Sequence, residues 1–530
     1  MLVERPMIMT EQQRYYRQME YLLVFFVAFL FLAFWQFHLA FGDPDVFYHA
    51  AIAQLLSEGV LLRSLPWMQF TTLTTHFADH HLLYHLLLAP LMKLGNPLYA
   101  IKLGTIIFGA SFFTVFYWYI RRLAPNLALL WTGLLLVSST FAFRLALVKA
   151  NSVSLIVVIF ILYALRQKRN WLLFILQIIY VWLYGGWIFG IMLAGLYWLV
   201  DCVAEWRVTT TSWWRRYFRS TAFYGVVATV LGSIVGVIVN PYWPSNVYFY
   251  WQQIFQIAIV NYNSTVGVGA EWYPLPWNEV INFHLYPLIA LLLIVIFGWS
   301  RWRSLNRNDW YLLILGLIAL GLTWKSRRYI ELSSPLLFIA TAALWIKCLP
   351  HISTSWLRAQ LREPGLYGTL AKVYALVVVF FISPVFFYMV IKDVINIRSF
   401  ESKTPFAINQ LAEESIWLRE HSKPGEIIFH SNWDYWPALF YQNRYNYYIV
   451  GLDPTFMYNK SPELFRLWST VSQGKATGDI SQIISQVFHS RFVLVSNDNT
   501  DFIDQLSKDQ HFVLRYQGAF AKIFEIVSHD

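Results

Sequence analysis

The chain has 530 residues, of which 57% are hydrophobic and only 13% are charged, and its mean hydropathy is +0.46. A soluble protein of this length needs a larger share of charged residues, so the composition excludes that class and indicates a polytopic membrane protein. The net charge of +10 reflects the loops in which Lys and Arg lie, and it does not indicate a nucleic-acid partner.

Apolar windows of roughly 17–25 residues predict an α-helical membrane protein with about eleven transmembrane helices. Their approximate bounds are 20–41, 97–120, 126–143, 152–165, 171–185, 187–203, 221–240, 284–300, 309–324, 330–347 and 373–392. With a cytoplasmic N-terminus, nearly every basic cluster lies on the inner side. The first span is too long for a cleavable signal peptide. Cys202 and Cys348 lie at inner ends of spans, so no disulfide framework is expected.

The chain is predicted to divide into two domains. Residues 1–392 form the transmembrane domain, with outer loops at 42–96 and 240–283, and residues 393–530 form a soluble α/β domain outside the membrane. In the second domain, short apolar runs predict strands at 426–429, 447–450 and 492–495, and amphipathic patterns predict helices at 408–421 and 481–488.

Residues 42–49, with the sequence Gly-Asp-Pro-Asp-Val-Phe-Tyr-His, follow directly after the first span. They place Asp43, Asp45 and His49 at the membrane–water boundary. Carboxylates at such a position typically hold a cation or take a proton. The alternative is a turn and helix cap that ends the span.

Other polar residues are predicted to lie on the same side of the membrane: Asp79-His80-His81 with His85, Glu271 in Gly-Ala-Glu-Trp-Tyr-Pro, and Lys325 with Arg327 and Arg328. The basic group breaks the positive-inside pattern, and paired arginines suit an anionic phosphate at headgroup level. The alternatives are an ordinary polar loop for the histidines, a solvated acid for Glu271 and snorkelling side chains for the arginines. A phosphate holder beside boundary carboxylates favours a transferase that uses a lipid-linked phosphate donor.

These motifs resemble those of the GT-C class of membrane glycosyltransferases, and within that class the chain is most similar to the catalytic subunit of oligosaccharyltransferase. Residues 42–49 resemble the first acidic motif, and residues 269–274 resemble the later loop motif that ends in a glutamate. Trp433-Asp434-Tyr435 resembles the WWDYG motif, and Arg327-Arg328-Tyr329 with Pro335 resembles the span that holds the donor phosphate. Asn240-Pro241-Tyr242, which opens the second long loop, is also common in the class.

Two departures from the class affect the expected chemistry. Asn432 and Trp436 stand at the two ends of the WWDYG pattern, which puts protein N-glycosylation in doubt. The loop at 144–152 lacks the family's second acidic pair, so a divalent cation such as Mg²⁺ or Mn²⁺ would lose a ligand. Either His80 or His81 completes a metal site with Asp43 and Asp45, or the enzyme works without a tightly bound metal.

The resemblance implies inverting sugar transfer from a polyprenyl-phosphate or polyprenyl-pyrophosphate donor to an acceptor glycan, lipid or protein, at the outer face of a bacterial plasma membrane. Asp45 would be the general base or a carboxylate that orients the acceptor, and Glu271 would orient the acceptor or the metal. Arg328, with Arg327 and Lys325, would hold the phosphate, while Trp433, Asp434 and Tyr435 would form the acceptor side. A transporter or flippase for a lipid-linked glycan and an inactive scaffold subunit with the same fold are the alternatives.

Overall fold

The computed structural model describes residues 11–36, 40–206, 218–349 and 406–527, together with residues 388, 391 and 392. The predicted span at 373–392 and the predicted domain boundary after residue 392 lie outside these four ranges. The boundary, and with it the division into two domains, stays a prediction.

The first part of the chain is helical. Its helices are Glu11–Gln36, Asp45–Ser57, Leu82–Leu88, Pro97–Leu123, Ala128–Val137, Ser139–Ala146, Asn151–Arg166, Asn170–Leu183, Ile188–Trp206, Thr221–Ile238, Ser245–Trp251, Trp277–Phe283, Leu285–Gly298, Arg307–Lys325 and Ile330–Cys348. Two of the helices are enclosed by the others: Pro97–Leu123 and Ile330–Cys348, of whose apolar windows 61% and 83% are buried. They form the centre of the helical assembly.

Five helices of the described part are long and apolar enough to cross a membrane, and a sixth span results if a bent pair at 125–137 and 139–146 counts as one. The predicted number of eleven is not confirmed. Several predicted spans correspond to apolar helices of only 10–17 residues, such as Asn151–Arg166 and Asn170–Leu183, which are shorter than the roughly 20 residues of an ordinary crossing. The predicted span at 126–143 bends by 71° at its break.

The turn between the helices Arg307–Lys325 and Ile330–Cys348 is fixed by local hydrogen bonds. The first of these helices begins with a capping box, in which the side chain of Asn306 and that of Asp309 satisfy each other's backbone N–H groups. The helix ends at Ser326, whose backbone is extended and whose hydroxyl accepts a hydrogen bond from the backbone N–H of Arg328. Arg328 is thereby held in a short 3-10 turn between two packed helices.

Residues 406–527 contain a five-stranded sheet. Its strands are β3 (Ile427–His430), β4 (Tyr447–Tyr448), β5 (Ser490–Ser496), β6 (Phe512–Gln517) and β7 (Ala521–Ile526), in the order β4-β3-β5-β7-β6. β3 is parallel to both of its neighbours, and the other pairs are antiparallel. The surrounding helices are Ala412–His421, Trp436–Gln442, Thr455–Lys460, Pro462–Ser472 and Thr500–Lys508.

The three predicted strands overlap with β3, β4 and β5, and the predicted helix at 408–421 begins four residues later. The predicted helix at 481–488 is a short α-turn, Ile480–Gln482, followed by a π-helical turn. The pair β6–β7 is missing from the prediction, because Arg515 interrupts the apolar residues of β6 and Lys522 and Glu525 interrupt those of β7, so neither strand is a continuous apolar run.

The sheet region is joined by backbone pairing to the segment that follows the first helix. A short strand β1 (Ala40–Phe41) pairs antiparallel with β2 (Phe406–Ala407). Farther along, the backbone N–H of Tyr448 donates to the carbonyl of Trp67, at 2.9 Å, and the indole N–H of Trp67 donates to the carbonyl of Arg444, at 2.8 Å. Residues 406–527 therefore pack directly on the loop that carries the first acidic motif.

Candidate active site

Asp43 and Asp45 are held by a tight turn at the start of the helix Asp45–Ser57. The carboxylate of Asp43 accepts a hydrogen bond from the backbone N–H of Asp45, at 2.9 Å, so Asp43 makes the turn-stabilising contact. Residues 46–53 of the helix are all buried. This packing fixes the helix and directs the two carboxylates to one side of its first turn.

Lys149 lies among three carboxylates that come from distant parts of the chain. Its ammonium nitrogen Nζ is 2.8 Å from Oδ2 of Asp43, 3.2 Å from Oδ2 of Asp45 and 3.6 Å from Oε2 of Glu271. Burial and the charge of Asp43 raise the pKa of Asp45 to about 7, although Lys149 opposes this shift. Asp45 is therefore suited to take a proton near neutral pH.

Glu271 is the centre of a network of positive charges. Its backbone carbonyl accepts a hydrogen bond from the hydroxyl of Ser326, at 2.8 Å, which joins its 3-10 turn to the end of a long helix. Its Oε2 accepts from Arg144 at 2.9 Å, and its Oε1 accepts from Arg328 at 3.0 Å. Burial opposes ionisation, but Lys149, Arg328 and Arg144 together hold the pKa of Glu271 well below its usual range.

A second carboxylate, that of Glu331, also holds the guanidinium group of Arg144. Glu331 accepts from Arg144 at 2.9 Å and from the hydroxyl of Tyr184 at 2.8 Å. The side chain of Glu331 is 5% exposed, so both bonds are needed to satisfy its charge. The guanidinium group of Arg144 therefore bridges two carboxylates and stiffens the base of the site.

His49, His85 and Asp79 form a buried chain of hydrogen bonds beside this network. His85 Nδ1 is 2.7 Å from the carboxylate of Asp79, and His85 Nε2 is 2.7 Å from His49 Nδ1. If the carboxylate of Asp79 accepts a hydrogen bond from His85, a neutral His85 carries its proton on Nδ1 and has a bare Nε2. That Nε2 accepts a hydrogen bond from His49, which then also carries its proton on Nδ1. Burial and the neighbouring His85 keep the pKa of His49 well below 6.5, so His49 is neutral and its Nε2 is a hydrogen-bond acceptor.

Two cavities meet at Asp45, Lys149 and Glu271. The smaller, of about 110 Å³, is also lined by Arg328 and by polar and aromatic side chains that include His49, His80, His81 and Phe249. The larger, of about 430 Å³, is also lined by Asp43 and Arg144 and by Trp433 and Asp434 of the sheet region. A group bound in either cavity can contact the same carboxylates.

The structure brings together most of the residues predicted for the site. Asp43, Asp45, Glu271, Arg328, Trp433 and Asp434 all line one or both cavities. Burial and the charge of Asp45 raise the pKa of Asp434 to about 7. Arg327 is exposed and lines the larger cavity.

Comparison with known proteins gives no match to a protein-family model and none to a curated protein, but solved structures do match. The oligosaccharyltransferase AglB from Archaeoglobus fulgidus, in complex with an inhibitory peptide and a dolichol-phosphate, has a TM-score of 0.59 and 12% identity, over 96% of this chain and 74% of that chain. ArnT from Cupriavidus metallidurans bound to undecaprenyl phosphate has a TM-score of 0.53 and 14% identity, over 96% and 98%. This chain has the fold of the GT-C membrane glycosyltransferases.

The predicted resemblance is thus confirmed at the level of the GT-C fold. A further structure of the Archaeoglobus fulgidus oligosaccharyltransferase is a complex with Zn and sulfate, with a TM-score of 0.53 and 12% identity, over 94% of this chain and 72% of that chain. That complex raises the question whether the acidic cluster described above fits a metal ion.

The residues proposed for a metal site do not converge. Asp43 and Asp45 face the ammonium of Lys149. The ring of His81 instead contacts the carbonyl of Leu183, at 3.1 Å, and the ring of His80 packs on Phe249. Within the described ranges, no group of three or more His, Cys, Asp or Glu residues is arranged to hold a metal ion. The arrangement does not fit a bound cation at these four residues.

Two other predicted site residues lie away from the cavities. The exposed Lys325 directs its ammonium to the carbonyl of Ile259, at 3.4 Å. The hydroxyl of Tyr435 is 2.6 Å from that of Ser496, so this tyrosine supports the sheet region. Their assignment to phosphate and acceptor binding gains no support from the geometry.

Sequence reasoning missed several charged residues in or beside these cavities, among them Arg144, Lys149, Glu331 and Asp453. Two signals were available. Arg144 and Lys149 lie in a loop predicted to be outside, so they break the positive-inside pattern as Arg327 and Arg328 do. Glu331 is a carboxylate inside an apolar span, which is costly unless it is paired. What the sequence does not contain is the identity of their partners, because these lie more than a hundred positions away.

Proposed function

We propose that the chain is an inverting glycosyltransferase that moves a sugar from a polyprenyl-phosphate or polyprenyl-pyrophosphate donor to an acceptor at the membrane surface. The observation that carries this proposal is the position of Asp45. It lies where two cavities meet, one with Arg328 and the other with Trp433 and Asp434. A carboxylate between a phosphate-binding group and a second pocket has the placement of a general base.

The smaller cavity suits the donor phosphate. The guanidinium group of Arg328 lies 4.8 Å from the ring of Trp272 and donates to Glu271, so its plane is held in place. A fixed guanidinium group presents several N–H donors to phosphate oxygens. The neighbouring His80 has a buried Nδ1 for which the structure gives no hydrogen-bond partner, and a phosphate oxygen would satisfy it.

The larger cavity suits the acceptor. Trp433 offers an apolar face on which a sugar ring or an acyl segment can lie, and Asp434 offers a carboxylate that can accept hydrogen bonds. The cavity also opens between the helical part and the sheet region, where a substrate can enter without leaving the membrane surface. A bacterial cell-envelope glycan, lipid or protein is the proposed class of acceptor.

The chemical step follows from these positions. A carboxylate oxygen of Asp45 takes the proton of the acceptor hydroxyl or amide group. The freed electron pair forms a bond to the anomeric carbon, and the bond from that carbon to the phosphate oxygen breaks. The leaving phosphate takes the bonding electrons, and Arg328 stabilises the charge that develops there. Attack from the face opposite the phosphate inverts the anomeric configuration.

Purified protein tests this proposal directly. It is incubated in detergent with a pool of polyprenyl-phosphate sugars and a cell-envelope acceptor extract, and the products are identified by mass spectrometry. We expect an acceptor that gains one glycosyl mass and a free polyprenyl phosphate or pyrophosphate. A protein that binds the donor but leaves it intact under all conditions would instead favour the transporter or the scaffold subunit.

The rate of transfer should depend on the ionisation of Asp45. Because its pKa is raised to about 7 and only the carboxylate form takes a proton, we expect the rate to fall about tenfold per pH unit below that value. Charged groups near Asp45 are Asp43, Lys149, Glu271 and Asp434. A pH–rate profile of single-turnover transfer measures this acid limb.

Asp434 supplies the control for the pH profile, since its pKa is also raised to about 7. The variant Asp434→Asn should keep the acid limb, whatever it does to acceptor binding. Loss of the limb in Asp434→Asn would assign the titration to Asp434 and contradict the role of Asp45.

We further propose that the site faces the extracytoplasmic side of a bacterial plasma membrane. Gln167 and Asp504 are both exposed, and the proposed topology puts them on opposite sides. In a background without Cys202 and Cys348, a membrane-impermeant maleimide should label Asp504→Cys in intact cells and Gln167→Cys only in inverted vesicles. Labelling of both from one side would contradict the topology.

A further inference from the structure

Lys149 occupies the point at which three carboxylates converge. Its side chain is 12% exposed, and its Nζ contacts Asp43, Asp45 and Glu271 at 2.8, 3.2 and 3.6 Å. The first distance is that of a charge-assisted hydrogen bond, and the other two are those of ion pairs. A divalent cation would need oxygen ligands at roughly 2.0–2.6 Å around the same point. The ammonium group of Lys149 and a divalent metal ion cannot both occupy this point.

The backbone around Lys149 fixes this placement. Its backbone N–H donates to the carbonyl of Leu147, at 2.8 Å, in the short connection between the helices Ser139–Ala146 and Asn151–Arg166. The side-chain amide of Asn151 donates to the carbonyl of Arg144, at 3.4 Å. These two hydrogen bonds hold the connection in one conformation, in which the side chain of Lys149 is directed towards the acidic turn at 43–45.

Lys149 is the cation that the structure pairs with both Asp43 and Asp45. Burial disfavours its charge, but the carboxylates of Asp43, Glu271 and Asp45 outweigh burial and raise the pKa of Lys149. Without it, Asp43 and Asp45 would face each other with no cation that the structure assigns to either. Their side chains are 18% and 30% exposed, and two carboxylates this close together are stabilised by a shared cation or by protonation of one of them.

We propose that the ammonium of Lys149 takes the place of a divalent cation among Asp43, Asp45 and Glu271, so that transfer by this chain requires no metal ion. The inference rests on the proposed function. In this role Lys149 is a positioning residue: it holds Asp45 by one carboxylate oxygen, Oδ2, and leaves the other oxygen for the acceptor. It also keeps Glu271 ionised beside Arg328.

Wild-type protein provides the first test. We expect transfer to survive treatment with EDTA, and Mn²⁺ added afterwards to cause no increase. Mn²⁺ binding, measured by electron paramagnetic resonance, should show no site that depends on Asp43. A wild-type protein that loses transfer with EDTA, or that binds one Mn²⁺ which Asp43→Asn removes, would overturn the proposal.

The variant Lys149→Ala provides the second test, because it leaves three carboxylates around an open point. We expect transfer in EDTA to fall by about 10- to 100-fold and Mn²⁺ to bind with a dissociation constant at least about tenfold lower than in wild type. Added Mn²⁺ should restore part of the transfer. A folded Lys149→Ala that transfers normally in EDTA, or binds Mn²⁺ no better than wild type, would contradict the inference.

Lys102→Ala is the matched control. Lys102 is also buried, and its ammonium contacts the carbonyls of Gln36 and Ala40 at 3.2 and 3.4 Å. Its removal should create no Mn²⁺ site. If Lys149→Ala does not fold, the wild-type measurements decide. If no protein transfers sugar under any condition, Mn²⁺ binding still decides this inference, while the proposed function fails separately.

Discussion

Replacing Asp45 by asparagine should abolish sugar transfer while the protein stays folded. Asparagine keeps the shape of the side chain but cannot take a proton, and loss of a general base costs on the order of 100-fold or more in rate. The turn at residues 43–45 should survive, because the bond that stabilises it runs from the backbone N–H of Asp45 to Asp43. Single-turnover transfer and thermal unfolding of the same preparation measure the two effects.

The control for this prediction is Asp504→Asn, an exposed acid on the helix Thr500–Lys508, which should transfer at the wild-type rate. If Asp45 served only to shape the turn, its replacement would lower the midpoint of unfolding and leave the rate nearly unchanged. Near-normal transfer by Asp45→Asn would therefore refute its role as the base.

Replacing Arg328 by alanine should lower the rate of the chemical step on the order of 100-fold and weaken donor binding less. The contact of its guanidinium group with phosphate strengthens as negative charge develops on the leaving oxygen, so its loss is felt mainly in the transition state. Arg328→Lys should recover only part of the rate, since an ammonium group cannot present a fork of donors. Donor binding and single-turnover rates, measured separately, distinguish the two effects.

Arg303→Ala, at an exposed arginine on a 3-10 turn outside the site, is the matched control and should change neither quantity. Glu271 keeps Arg144 and Lys149 as partners when Arg328 is removed, so the variant should fold. Equal losses of donor binding and of rate would show that Arg328 binds the ground state and the transition state alike, against the proposed role.

The sequence predicted which segments meet at the site better than it predicted what holds them there. Asp45, Glu271 and Arg328 were predictable because each is a charged residue in a segment predicted to border the membrane, where charge is costly and tends to serve a function. For Lys149 the sequence indicates only that it lies in a loop without carboxylates. Its role depends on residues over a hundred positions away, and no local pattern encodes such a pairing.

The helical fold shows the same contrast. Apolar windows located the helices Pro97–Leu123 and Thr221–Ile238 well, because these are long enough to cross a bilayer. The windows did not indicate which helices are short or bent, as at the break between Ala128–Val137 and Ser139–Ala146. The second of these two helices carries Arg144, which contacts Glu271 and Glu331.

The backbone pairing between the first outer loop and the sheet region has a consequence for the time at which the site is completed during synthesis. The bond from Trp67 to Arg444 joins residues 377 positions apart, which a ribosome separates by roughly 20 s or more. Loop closure over such a distance is also slow. The acidic turn at residues 43–45 is therefore synthesised well before the sheet-region residues that line the same cavity. A chain cut short before residue 433 would carry Asp45 and Arg328 but neither Trp433 nor Asp434.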